Sequence, residues 1–183
     1  DVVASGRLGR IVTVEHRENV DALHMAHSYV RGAYRQADGS NPMLLAKACH
    51  DLDLLHWILG DPVVRLSSFG SLLHFRADTV GPEIPARCTD GCPVESTCAF
   101  SAVRAYAPEA PASQPSIRLL TQVFPLTDPP TFDAASRRTA LATSPFGRCV
   151  YRTDDDVVDH KVVAMELASG ATVSFAMHGH SHD

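Results

Sequence analysis

The sequence has no apolar run approaching the roughly 20 residues that a membrane-spanning helix needs. Its first residues offer neither a charged n-region nor an apolar h-region, so no membrane contact or export signal is read from it. It has no excess of positive charge: 16 Lys+Arg stand against 21 Asp+Glu, a net charge of −5, which argues against nucleic acid as a partner. It contains no G-x-x-x-x-G-K-[ST], and no G-x-G-x-x-G behind a strand, because Gly6 and Gly9 lack both the third glycine and the helix context. No internal repeat is present. Nor is the cysteine count even: Cys49, Cys88, Cys92, Cys98 and Cys149 are scattered along the chain, which favours reduced thiols or a metal site in the cytoplasm over a secreted disulfide scaffold.

What is present is an ordinary globular composition, 45% hydrophobic and 20% charged over 183 residues, enough for a single domain with one sizeable core. The chain opens at Asp1 without a Met and stops at Asp183 in a strand-like pattern, as expected of a piece of a longer protein.

Ile11 to His16 alternates at period two with β-branched residues, the pattern of a half-buried strand, and a second strand is expected over Leu23 to Val30. The clearest helix runs from Pro42 to Leu59, with Asn41 as N-cap, Pro42 at the first helical position and Gly60-Asp61-Pro62 as its stop. Leu44, Ala48, Leu52, Leu55 and Leu59 share one stripe of its wheel, while Lys47, His50, Leu54 and Trp57 share another with Asp53 on the margin. Further strands are expected over Arg65 to Phe75 and Ile117 to Phe124. Short helices are expected near Ala99 to Tyr106 and Ala134 to Ala142, and a final hairpin over Val162 to Leu167 and Ala171 to Met177 turns at Gly170. Residues 107–115 and 125–130 read as exposed connections. Several antiparallel strands, a few helices and no βαβ alternation point to an α+β domain: an open, mainly antiparallel sheet with helices on one face.

The densest chemistry lies at Lys47-Ala48-Cys49-His50-Asp51-Leu52-Asp53. A helix histidine can take a proton from an alcohol while hydride leaves the same carbon, and an ammonium one turn away can stabilise the developing oxyanion, which suits His50 and Lys47. Equally consistent with the spacing is a structural His50 bonded to Asp53 or a nearby carbonyl. His50, Asp51, Asp53 and His56 also permit a divalent metal, although His50 and Asp51 point about 100° apart on a helix. Arg31, Tyr34 and Arg35 could contact a polyol, sugar or carboxylate, or simply form a solvated strand end. Asp154, Asp155 and Asp156 read as a solvated acidic turn, and His178, His180 and His182 as exposed residues on one strand face.

The run Leu45 to Gly60, with its K-x-C-H-D sequence, resembles the catalytic helix of the Gfo/Idh/MocA oxidoreductases. Ser5 to Val12, the Cys88–Cys98 segment, and Gly147 to Tyr151 leading into Asp155 to His160 support the likeness along nearly the whole chain. The resemblance implies a family pairing of an N-terminal Rossmann domain for NAD or NADP with a C-terminal α+β domain. Residues 1–183 would be that second part, a substrate-binding and oligomerisation domain. Its sheet would make a homodimer or larger assembly, and its substrate would be a sugar, cyclitol or related hydroxylated molecule. On this resemblance the catalytic histidine maps to His50 and the family's following aspartate to Asp53. Ala46 stands where the commoner pattern has an aspartate, and Lys47 takes over part of that role. Alone, without the Rossmann part, the chain is expected to be inactive.

Cys88-x₃-Cys92-x₅-Cys98 sets three soft ligands in one short loop, and Cys149 could complete a tetrahedral structural zinc site. Reduced buried thiols or an adventitious disulfide are the alternatives. A different class of reading is a non-catalytic, zinc-stabilised module that dimerises or binds a ligand, with a structural His50.

Overall fold

Alternating residues from residue 13 onward build β1 (Thr13–Asp21), in which Val14, His16, Glu18 and Val20 turn inward and the residues between them are exposed. The computed structural model describes residues 2–109, 123–124 and 133–181. Three more strands follow: β2 (Val63–Ser71), β3 (His160–Leu167) and β4 (Thr172–Ser181), in the spatial order β1-β4-β3-β2. The β2–β3 and β3–β4 pairs are antiparallel, as the hairpin pattern predicts, whereas β1 lies parallel to β4. The sheet is therefore open and mixed.

Leu167 and Ala171 close the β3–β4 turn, with Gly170 N–H donating to Leu167 O at 2.9 Å and Gly170 at φ 86°, a value most side chains resist. Val163, Met165, Val173, Phe175 and Met177 point to one face and are all buried. Burial of side chains such as Val163, Phe175 and Met177 contributes about 1.5–3 kcal/mol each. Against this face pack the helices, and the opposite face stays open to solvent.

Leu23 to Val30 is not a strand. Asp21 caps a short helix, α1 (Ala22–His24), by accepting from His24 N–H at 2.9 Å, and the chain continues as a π-helical turn over Met25–Val30. Ala22, Met25, Ala26, Tyr29 and Val30 are buried. Their 0, 3, 4, 7, 8 spacing is the period of a helix face, and it outweighs the β-branched ending.

The long helix expected over Pro42 to Leu59 is two pieces, α2 (Met43–Ala46) and α3 (Cys49–Leu59), and Pro42 is the N-cap rather than the first helical residue. Lys47 (φ −122°) leaves helical geometry, and Ala48 N–H reaches back to Met43 O at 3.4 Å. The predicted apolar stripe still faces inward, since Ala48 and Leu55 are buried and Leu44, Leu52 and Leu59 pack on the core. Gly60, at φ 59°, ends α3 in the left-handed conformation with its N–H on His56 O.

A second, smaller cluster gathers Cys88, Val103, Tyr106, Val123, Phe124 and Leu141 around α4 (Ala102–Tyr106) and α5 (Ala134–Leu141). Ala107, expected in an exposed connection, is buried here. The strand expected over Ile117 to Phe124 and the 125–130 connection fall largely or wholly outside the described residues.

Candidate active site

Two polar side chains on the core-facing side of β1, His16 and Glu18, meet the start of α3, because period two sends them the same way as Val14 and Val20. Asp51 is 4% exposed and accepts from His16 Nε2 at 2.8 Å. Its second oxygen lies 3.2 Å from His50 Nδ1, within ion-pair range but poorly aligned for a hydrogen bond. Lys47, 6% exposed, donates to Glu18 Oε1, and its Nζ stands 3.3 Å from His50 Nε2. The break after Ala46 turns Lys47 inward while His50 stays outside, its side chain 61% exposed. His50 is thus flanked at one ring nitrogen by a cation and at the other by a buried carboxylate, and it still opens to solvent.

The floor and rim of this site come from the helical segment that the sequence disguises as a strand. Tyr29 donates to Ala46 O at 3.3 Å, and burial, helped by Tyr34, Cys49 and Glu18 nearby, pushes its phenol up to about 12. The Tyr34 ring sits 5.7 Å from that of Tyr29 and is exposed. His24 stands on the same side, its pKa lowered by burial and then by the Lys47 charge.

Three expected site residues fall elsewhere. Asp53 is exposed and has no hydrogen bond or ion pair among the described residues; the carboxylate at His50 is Asp51. Arg31 is 1% exposed and donates inward to Arg148 O and Phe100 O, both at 2.7 Å, so it is not a substrate contact here. Arg35 forms a two-pronged pair with Asp154, at 2.9 and 3.3 Å, which Arg148 also joins at 2.8 Å. The acidic run is exposed at Asp154 and Asp156, as expected, but it is tied down: Asp156 accepts from Ala37 N–H at 2.8 Å, and burial pushes Asp155 up to about 6.

Glu18, His50 and Asp51 form the one group among the described residues whose potential ligand atoms lie within 4.8 Å of each other. The Lys47 ammonium already bonds Glu18 and adjoins His50 in this group, so the positive charge that a divalent ion would bring is supplied by the chain. Predicted ligands Asp53 and His56 are exposed and not in the group. His16 and Glu18 are not among the site residues expected from the sequence, yet two ionisable residues on the inward register of a strand are a visible signal.

A separate polar group closes the far end of the sheet. Asp159, fully buried, accepts from the backbone N–H groups of Leu73, His74 and Phe75 and from His160 Nδ1 at 2.8 Å. Burial acts to raise its pKa, but these hydrogen bonds together hold it below the usual carboxylate value. His180 stacks on His74 at 4.9 Å, which the sequence did not foreshadow.

The family described as GFO/IDH/MocA C-terminal domain matches residues 1–115. A Bacillus subtilis (strain 168) protein named "Putative oxidoreductase YteT" is 24% identical over 181 residues, covering 97% of this chain; the chain spans 39% of that relative's length. A solved "putative dehydrogenase from Bordetella bronchiseptica RB50" is similar at TM-score 0.44 and 10% identity, over all of this chain and 26% of that one, too loose a likeness to carry weight. Among the described residues no helix is long and apolar enough to cross a membrane.

Proposed function

The chain belongs to the GFO/IDH/MocA family through its C-terminal domain, and on that footing we propose that it is the substrate and oligomerisation part of an NAD(P)-dependent cytoplasmic dehydrogenase acting on a sugar, cyclitol or similar hydroxylated molecule. A Rossmann domain elsewhere in the whole protein would hold most of the cofactor. The observation that carries this is an exposed imidazole held between Lys47 and Asp51.

On this chain Leu54, Trp57 and Ile58 form an apolar strip on α3, with Trp57 70% exposed, beside His50. A flat, weakly polar nicotinamide ring fits such a surface. When bound, the cofactor takes up or returns hydride at the substrate carbon. The residues of the chain handle the proton. In the oxidising direction the substrate hydroxyl gives its proton to His50 Nε2 as the carbonyl forms, and Asp51 offsets the imidazolium from the Nδ1 side. Lys47, held in place by Glu18, lies where it stabilises negative charge building on the oxygen. Tyr34 lines the rim, within reach of further hydroxyl groups.

A second copy of the chain, on the same proposal, covers the open sheet face, where the cross-strand pair Phe69 and Val162 is exposed. Sedimentation velocity of Phe69→Glu against the parent protein checks this.

The direct test is His50→Ala in the full-length protein, assayed with NAD⁺ and NADP⁺ over a panel of polyols, cyclitols and aldoses. Turnover is expected to fall by about 10²–10⁴-fold with an unchanged melting temperature. Unchanged turnover overturns the assignment.

A further inference from the structure

Four of the five cysteines converge on one small cavity. Cys88, Cys92, Cys98 and Cys149 all line a space of about 40 Å³ between the irregular segment after β2 and the residues preceding β3. An isolated antiparallel bridge between Arg87 and Arg148 sets this up. Cys88 N–H donates to Gly147 O and Cys149 N–H to Ala86 O, both at 2.9 Å, so two thiols far apart in sequence become neighbours. Turns then bring the other two round: Glu95 N–H reaches Cys92 O at 3.2 Å, and Cys98 N–H reaches Val94 O at 2.9 Å.

The Cys88 sulfur accepts from Ala102 N–H at 3.5 Å and lies 3.7 Å from Arg31 Nη2. Backbone and guanidinium donors aimed at sulfur are the outer contacts that metal-bound thiolates carry.

Arg31 supplies the independent observation. Its guanidinium is buried among neutral acceptors, the carbonyls of Arg148 and Phe100, and its Nη1 has no hydrogen-bond partner in the geometry of the described residues. The neighbouring Tyr106 hydroxyl, 3.0 Å from His27 Nδ1 and also interacting with Arg31, is no anion, its pKa pushed up to about 12 by burial. Glu95, the one carboxylate lining the cavity, pairs with Arg138 at 2.9 Å. A buried cation without an anion is costly. A zinc tetrathiolate carries two net negative charges and relieves it.

We propose that Cys88, Cys92, Cys98 and Cys149 bind a structural zinc ion, with Arg31 as the buried counter-charge beneath it. No three of the four sulfurs lie within 4.8 Å of one another. Binding therefore draws the 92–98 loop inward and fastens a segment that has little regular structure of its own. Each thiol loses its proton to solvent as its sulfur bonds the metal, and nothing is oxidised.

The test uses full-length protein purified without chelator. Elemental analysis is expected to find about one zinc per chain, and cobalt(II) exchange is expected to give the intense visible bands of tetrahedral thiolate coordination. Cys92→Ser and Cys98→Ser each lose the metal, and Cys49→Ser retains it. Should the serine variants fail to fold, the cobalt spectrum of the parent protein still decides. Zinc far below stoichiometric with no thiolate spectrum, or peptide mapping that finds disulfides among these four cysteines, overturns the site.

Discussion

Lys47 Nζ lies 3.3 Å from His50 Nε2 although the helical turn that should carry both is broken between them. The break turns Lys47 away from solvent onto Glu18 and leaves the imidazole outside. Replacing Lys47 by Met removes the cation next to the nitrogen proposed to accept the proton. On the proposed function, kcat of the full-length protein is expected to fall by about 10²–10³-fold with KM little changed. Steady-state kinetics within about twofold of the parent would show that the ammonium has no part in the reaction.

Asp51 ties α3 to β1 through His16 as well as flanking His50. Asp51→Asn keeps the shape and removes the charge, and is expected to cost about 1–3 kcal/mol in urea unfolding, together with a drop in turnover. Asp53→Asn is the matched control. It is expected to leave stability within about 0.5 kcal/mol, because that side chain is exposed and unbonded among the described residues.

Asp159→Ala strands the N–H groups of Leu73, His74 and Phe75. A loss of about 2–4 kcal/mol is expected from this buried acceptor. The native carboxyl titrates below its ordinary value of 3.8, so its contribution is complete above that pH and disappears as pH falls through the lower folded value. The stability gap between parent and variant, followed by denaturant melts at several pH values, should narrow only on the acid side.

Lys161 faces inward from β3 at 5% exposure, and burial drops its pKa from 10.5 to about 8. The unfolded chain holds that proton more tightly, so stability rises with pH between about 8 and 10.5 and the charged form is a burden below that window. Lys161→Met is expected to raise stability at pH 7 by something on the order of 2 kcal/mol, with the gain shrinking toward pH 10. Equal gains at both pH values would contradict the burial argument.

The apolar stripe of α3, its glycine stop and the closing hairpin were all legible from periodicity and turn chemistry. So was the pairing of Lys47 with His50, since residues three apart on a helix are neighbours even when the turn is strained. Leu23 to Val30 was expected as a strand, yet the spacing of Ala22, Met25, Ala26, Tyr29 and Val30 is that of a buried helix face. Arg31 and Arg35 read as ligand contacts because a basic side chain's partners are invisible in one dimension. Those partners are carbonyls near Phe100 and Arg148 and a carboxylate at Asp154.

The sequence by itself determined the local and periodic features: which helix carries the imidazole, which face of it is apolar, where it stops, and which thiols share a loop. Tertiary structure alone decided that Asp51 rather than Asp53 attends His50, that β1 brings His16 and Glu18 to it, and that Cys149 joins the other three cysteines. The reason is physical. Helix and turn signals act over a few neighbouring residues, whereas a buried charge chooses its partner from whatever elements the collapse of the core brings within about 3 Å, at any distance along the chain.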